Sequence, residues 1–172
     1  MKIRTLALAV VALFLAAFAA SAQTGTWTAV GSTGAVDPQQ VGLFGVIGGT
    51  RLGFNPAGGS NAGILTVRFN VTNTYGGGLR DAPPWTTLEL GALNATGIDP
   101  VTATLYKVNP CTGARSAVCT VTNTTGSTSG ACATCSFAAG TINFGANLYY
   151  VEVSITRSTG TGNPQLSTLR IF

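Results

Sequence analysis

The chain has no histidine among its 172 residues, and only 8% of them are charged. Without an imidazole the commonest general base and metal ligand is missing. That removes Ser-His-Asp and Cys-His nucleophile schemes, most catalytic zinc sites and covalent haem attachment. The charge that is present is dispersed: no run of Lys and Arg forms a stripe that could track phosphates, so nucleic acid is not an expected partner. The carboxylates are Asp37, Asp81, Glu89, Asp99 and Glu152. No two stand within three residues of each other, which gives no calcium loop, and no cofactor or metal is expected. After residue 22 there is neither helical periodicity nor an apolar run long enough for a membrane helix.

What the chain does have begins at its N-terminus. "MKIRTLALAVVALFLAAFAASAQT" carries Lys2 and Arg4, an apolar run from Leu6 to Ala20 and the small residues Ala20-Ser21-Ala22 before Gln23. This resembles a bacterial Sec signal, with cleavage expected after Ala22. The expected organisation is therefore a signal peptide over 1–22 and one domain over 23–172, with export to the cell surface, the medium or the periplasm and no stable membrane span after cleavage. Removing the segment leaves seven basic residues against five acids. A domain of this length buries about 70% of its unfolded surface, enough for one core.

The remaining pattern has a period of two, broken about every eight to twelve residues by Gly, Asn, Pro or Asp. In "ILTVRFNVTN", Leu65, Val67, Phe69 and Val71 alternate with Thr66, Arg68, Asn70 and Thr72; "LYYVEVSITRS" alternates in the same way. Weaker versions occur in "TWTAV", "VGLFGVI", "WTTLEL", "VTATLYKV" and "LSTLRI". One apolar and one polar face favours antiparallel pairing. The fold expected is all-β: a single antiparallel β-sandwich, jelly-roll or immunoglobulin-like, of about eight to ten short strands. Gly48-Gly49 reads as a two-residue hairpin turn.

Four cysteines in an exported chain imply two disulfides. The spacing favours Cys111 with Cys119 across the "CTGARSAVC" hairpin and Cys132 with Cys135 in "CATC"; crossed pairs such as Cys119 with Cys132 are the alternative. A redox or zinc role for "CATC" lacks the helix N-terminus or the second close pair it needs.

Carboxylate chemistry needs two acids about 5–9.5 Å apart across a cleft. Glu89 and Glu152 both fall on outward strand phases and could share an exposed sheet face, but as solvated carboxylates they need no catalytic role, and the chain is read as non-enzymatic. The long segment "NTYGGGLRDAPPWTT" collects Tyr75, Arg80, Asp81 and Trp85. An exposed ring there can lie against the apolar face of a sugar while polar neighbours take its hydroxyls. The competing reading packs Trp85 into the core. Trp27 and Tyr150 are candidates to extend such a surface.

Chaperone-assembled pilins are similar in size, low charge and export, and the terminal segments "TGTWTAV" and "LSTLRIF" would be their exchanged strands. The pattern departs from theirs at Ile171, where they carry a penultimate Tyr, and in its four cysteines. An outer-membrane barrel is suggested by the terminal Phe172, but Arg170 and Thr168 interrupt the apolar phase it needs. The functions expected are, in order, an exported non-catalytic structural or surface-interaction protein that self-associates through edge strands, a carbohydrate-binding module that takes a cell-surface glycan, and a membrane barrel.

Overall fold

The computed structural model describes residues 25–55, 62–75, 81–94, 97–158 and 162–172. The expected signal segment and its cleavage site lie outside these residues, as does Arg80. Among the described residues eleven strands run in chain order: β1 (Trp27–Val30), β2 (Ala35–Val36), β3 (Phe44–Ile47), β4 (Arg51–Phe54), β5 (Gly63–Val71), β6 (Thr87–Asn94), β7 (Val101–Val108), β8 (Arg115–Asn123), β9 (Ser127–Ser136), β10 (Leu148–Arg157) and β11 (Gln165–Ile171). A six-stranded sheet has the order β3-β4-β11-β6-β9, with β1 also on β11; a five-stranded sheet has the order β2-β5-β10-β7-β8. All pairs are antiparallel. Among the described strands, only β3–β4 and β7–β8 are consecutive within one sheet. The expected sandwich is the fold that forms.

The period-two pattern explains the core directly, because alternate residues of a strand leave the sheet on opposite sides. Leu65, Val67, Phe69 and Val71 of β5 face Tyr149, Val151, Val153 and Ile155 of β10 across the same side of their sheet, all buried. Leu88, Leu90 and Ala92 of β6 and Leu169 and Ile171 of β11 meet them from the other sheet. Each such side chain contributes about 1.5–3 kcal/mol when fully withdrawn from water. One end of this core is closed by polar groups. Asn123 donates from Nδ2 to the Ala131 carbonyl at 2.8 Å, Asp99 accepts from the Ser158 amide at 2.8 Å, and the Arg157 guanidinium lies 4.3 Å from the centre of the Phe54 ring.

Two packed sheets with a filled interior are not a closed barrel, so the membrane-barrel reading is corrected. Nor are the terminal strands left for exchange: β1 and β11 pair with each other, Trp27 opposite Ile171 and Val30 opposite Thr168. The chain then leaves the six-stranded sheet through a 3-10 turn at Gly31–Thr33. A Cβ on Gly31 would collide with the Leu166 carbonyl oxygen, so only glycine allows this close crossing. At the β3–β4 hairpin Gly48 and Gly49 both take positive φ, 60° and 77°, in a connection that also includes Thr50.

The cysteine pairing differs from the expected one. Cys119 is bonded to Cys135 with a Cα–Cα distance of 6.1 Å, whereas Cys111 and Cys132 are free and exposed. "CATC" is not a turn but the end of the long strand β9. Cys132 and Cys135, three residues apart on an extended strand, therefore point to opposite faces and cannot bridge each other. Cys135 points inward, as does Cys119 opposite the buried Leu105. β8 and β9 are edge strands of different sheets, so the bond ties the sheets together along one side.

Closing a chain segment of 16 residues, this bond should stabilise the fold by about 3 kcal/mol through the unfolded state. Replacing Cys119 and Cys135 together by Ser should lower the melting temperature accordingly, while Cys111→Ser and Cys132→Ser should leave it unchanged. Mass spectrometry of the non-reduced monomer should show a loss of two hydrogens, reflecting its one intramolecular disulfide.

Candidate functional site

The long strands β5, β7 and β10 keep their parity throughout, so their polar halves form one continuous outer face. Tyr150 of β10 is directly opposite Tyr106 of β7, and the two rings stack with centroids 5.1 Å apart and 21° between their planes. From β8, on the other side of β7, Arg115 lies over the Tyr106 ring at 4.9 Å and donates from Nη1 to the Tyr150 hydroxyl at 2.9 Å. Its Nη1 is also 3.6 Å from the Glu152 carboxylate. Glu152 in turn accepts from Arg68 Nε at 2.8 Å, and Arg68 reaches Asp37 at 3.8 Å. A chain of aromatic and ion-paired groups thus crosses the sheet from β8 to the residue that follows β2.

The charges balance: two guanidiniums face two carboxylates. The hydrogen bond to Tyr150 holds the Arg115 guanidinium above the ordinary arginine value, followed by the negative charges of Tyr150, when ionised, and of Glu152. Next to this row, Thr102 bonds Thr122 at 3.0 Å and Thr104 bonds Thr120 at 3.1 Å, hydroxyl to hydroxyl, across β7 and β8. Strand order puts Arg115 on one side of Tyr106 and Tyr150 on the other, with exposed Asn70 of β5 next to Tyr150. The face can donate and accept many hydrogen bonds at fixed positions and offers the Tyr150 ring for C–H contact, whereas Tyr106 is stacked between Tyr150 and Arg115. Among the described residues no cluster of Cys, Asp and Glu is placed to hold a metal ion.

Arg68 also lines a groove of about 630 Å³ beside β5, where Thr28, Asn70, Thr168 and Arg170 contribute polar groups above Phe69. The groove runs between β1 of one sheet and β5 of the other, so it adjoins the Tyr150 face at Arg68.

The residues singled out in the long loop have a different fate. Trp85 is 2% exposed, donates from Nε1 to the Gly25 carbonyl at 2.7 Å and meets Phe144 edge-on at 6.1 Å. Its ring is part of the core cluster and not a flat surface in solvent. Tyr75 is half-buried against that cluster and shares with Pro84, Phe172 and the Trp85 edge a recess of about 370 Å³. Asp81 is exposed; its carbonyl accepts from the Phe144 amide at 2.7 Å, and it does not line the recess. Trp27 is 4% exposed, hence no platform either. Glu89 and Glu152, whose outward strand phases alone would allow a shared face, point away from opposite sheets. Glu89 pairs with Arg170 at 3.1 Å on the six-stranded sheet, and the whole sandwich separates it from Glu152. The Tyr106–Tyr150 pair is not legible in the sequence because it depends on the β7–β10 register, which no local pattern records.

No family model and no curated protein matches the chain. Among solved structures it is similar to the CBM36-1 domain of a multidomain xylanase from the hindgut metagenome of Trinervitermes trinervoides, with 16% identity over 86% of this chain and 96% of that one and a TM-score of 0.47. It is also similar to the C-terminal CBM6 of LamC, a laminarinase of Zobellia galactanivorans, with 12% identity over 85% and 98% and a TM-score of 0.49. A CBM36 carbohydrate-binding module in complex with calcium and xylotriose matches at 11% identity over 85% and 99%, with a TM-score of 0.47. At such identities and TM-scores none of these structures says what this chain binds.

The burial of Trp85 makes one outcome definite. Trp85→Ala should cost about 3–5 kcal/mol of stability, read as a lowered thermal or denaturant midpoint. A variant with an unchanged midpoint would mean that the ring is not packed as described.

Proposed function

We propose that this is an exported, non-catalytic β-sandwich that binds a neutral glycan on the outer face of its five-stranded sheet. The observation that carries the reading is the row Arg115, Tyr106, Tyr150, Glu152 and Arg68, in which every charged group is held by a neighbour before any ligand arrives. Sugar hydroxyls both donate and accept. Glu152 keeps lone pairs for the first and the guanidiniums keep N–H groups for the second, already oriented. The side of the Tyr150 ring turned away from Tyr106 supplies surface for the C–H side of a pyranose. Balanced charge favours a neutral ligand over a polyanion. The adjoining groove offers a path for a chain longer than the tyrosine pair alone could hold, with Arg68 at the junction.

An open sheet face without a deep cavity implies weak binding, with dissociation constants in the millimolar to micromolar range, about −4 to −8 kcal/mol. Calorimetry or affinity electrophoresis against neutral polysaccharides should detect retention that strengthens with oligosaccharide length and changes little with salt. Tyr150→Ala should weaken it about tenfold or more, a loss of ~1.4 kcal/mol or greater, with the melting temperature nearly unchanged because the side chain stands on the outer face. If the wild-type protein is retained by no glycan, or if Tyr150→Ala binds as well as wild type, the reading is wrong.

A further inference from the structure

We propose that the free edge of β3 docks a second copy of this chain, the two β3 strands pairing antiparallel about a two-fold axis. β3 ends the six-stranded sheet, and among the described residues only β4 pairs with it. The Asn55 amide donates to the Leu43 carbonyl at 2.8 Å. In an antiparallel ladder bonding residues alternate, so Gly45 and Ile47 also turn toward β4 while the N–H and C=O of Phe44 and Val46 point away from the sheet.

The side chains along this edge are apolar and uncovered. Val41, Leu43 and Val46 are 59%, 43% and 50% exposed, three large apolar groups within one short segment. Val46 stands opposite Leu52, which is 1% exposed. Cross-strand partners share a face, so Val46 is on the core-facing side of the sheet and yet half uncovered. Natural edges are guarded against pairing by lysine, by proline or by an inward charge. Residues 38–50, "PQQVGLFGVIGGT", contain no charge, and their one proline precedes the strand.

A second copy fits this edge for reasons that do not extend to an arbitrary strand. A two-fold interface sets one patch against itself, and an antiparallel strand edge is self-complementary, each donor of one copy meeting an acceptor of the other. The uncharged segment brings no like charges together when it meets itself. The inference does not rest on the glycan reading, since β3 and Tyr150 belong to different sheets.

Sedimentation of the purified protein from about 1 μM to about 1 mM tests it. A concentration-dependent dimer is expected. Val46→Lys should raise its dissociation constant tenfold or more with unchanged melting temperature, and Leu148→Lys, which removes a leucine 59% exposed on another strand, should leave it as it was. If Val46→Lys does not fold, Val41→Lys takes its place. A wild-type monomer throughout, a dimer that survives the edge substitution, or a dimer lost equally with Leu148→Lys overturns the proposal.

Discussion

Side chains of a β-strand alternate between its two faces, and the features of this molecule depend on that parity being held without interruption over β5, β7 and β10. The same alternation that buries Val151 and Val153 presents Tyr150 and Glu152 to solvent. A shift of one residue would exchange the two sets, placing a carboxylate in the core and valines outside. The buried half therefore fixes the register that the exposed half uses. The cysteines obey the same rule: parity sends Cys135 inward and Cys132 outward, so the bond forms between sheets and not within "CATC".

Parity along one strand can be read from sequence; neighbours across strands cannot. The inward residues of β5 and β10 were legible because valine, leucine and isoleucine contrast sharply with threonine, arginine and glutamate. β8 and β9 were not legible as full strands, because Ser, Ala, Cys, Thr and Gly offer no such contrast. The disulfide, the separation of Glu89 from Glu152 and the meeting of Tyr106 with Tyr150 all depend on which sheet a strand joins and in what register. Trp85 illustrates the limit differently. A tryptophan after two prolines in a glycine-rich loop is compatible with exposure or burial, and the Gly25 carbonyl that accepts from its indole N–H is 60 residues away in the chain.

Few charges are available, and they are unevenly spent. Asp37, Arg68, Glu152 and Arg115 form one connected row on a single face, while Glu89 and Arg170 form one pair on the other. Partly exposed ion pairs of this kind stabilise a fold by about 0–1 kcal/mol each, so stability is a poor reason for the row. Orientation is a better one. Each guanidinium that is already held by a carboxylate or a tyrosine hydroxyl loses less side-chain freedom when a ligand arrives, and that loss is a principal cost of binding.

The proposed edge contact and the proposed ligand face lie on different sheets, which has a quantitative consequence. Pairing through β3 would extend the six-stranded sheet and leave both copies of the Tyr150 face uncovered. A single face built from one open ring and a row of hydrogen bonds would bind weakly, but two linked faces on one polymeric glycan would act together. Once the first is engaged, the second meets the chain at an effective concentration on the order of mM, and avidity can exceed the single-site affinity by about 10²–10⁴ without any new contact. Weak sites and an unguarded edge are then compatible properties of one small sandwich: in the proposed dimer, repetition would supply the retention that one shallow face cannot.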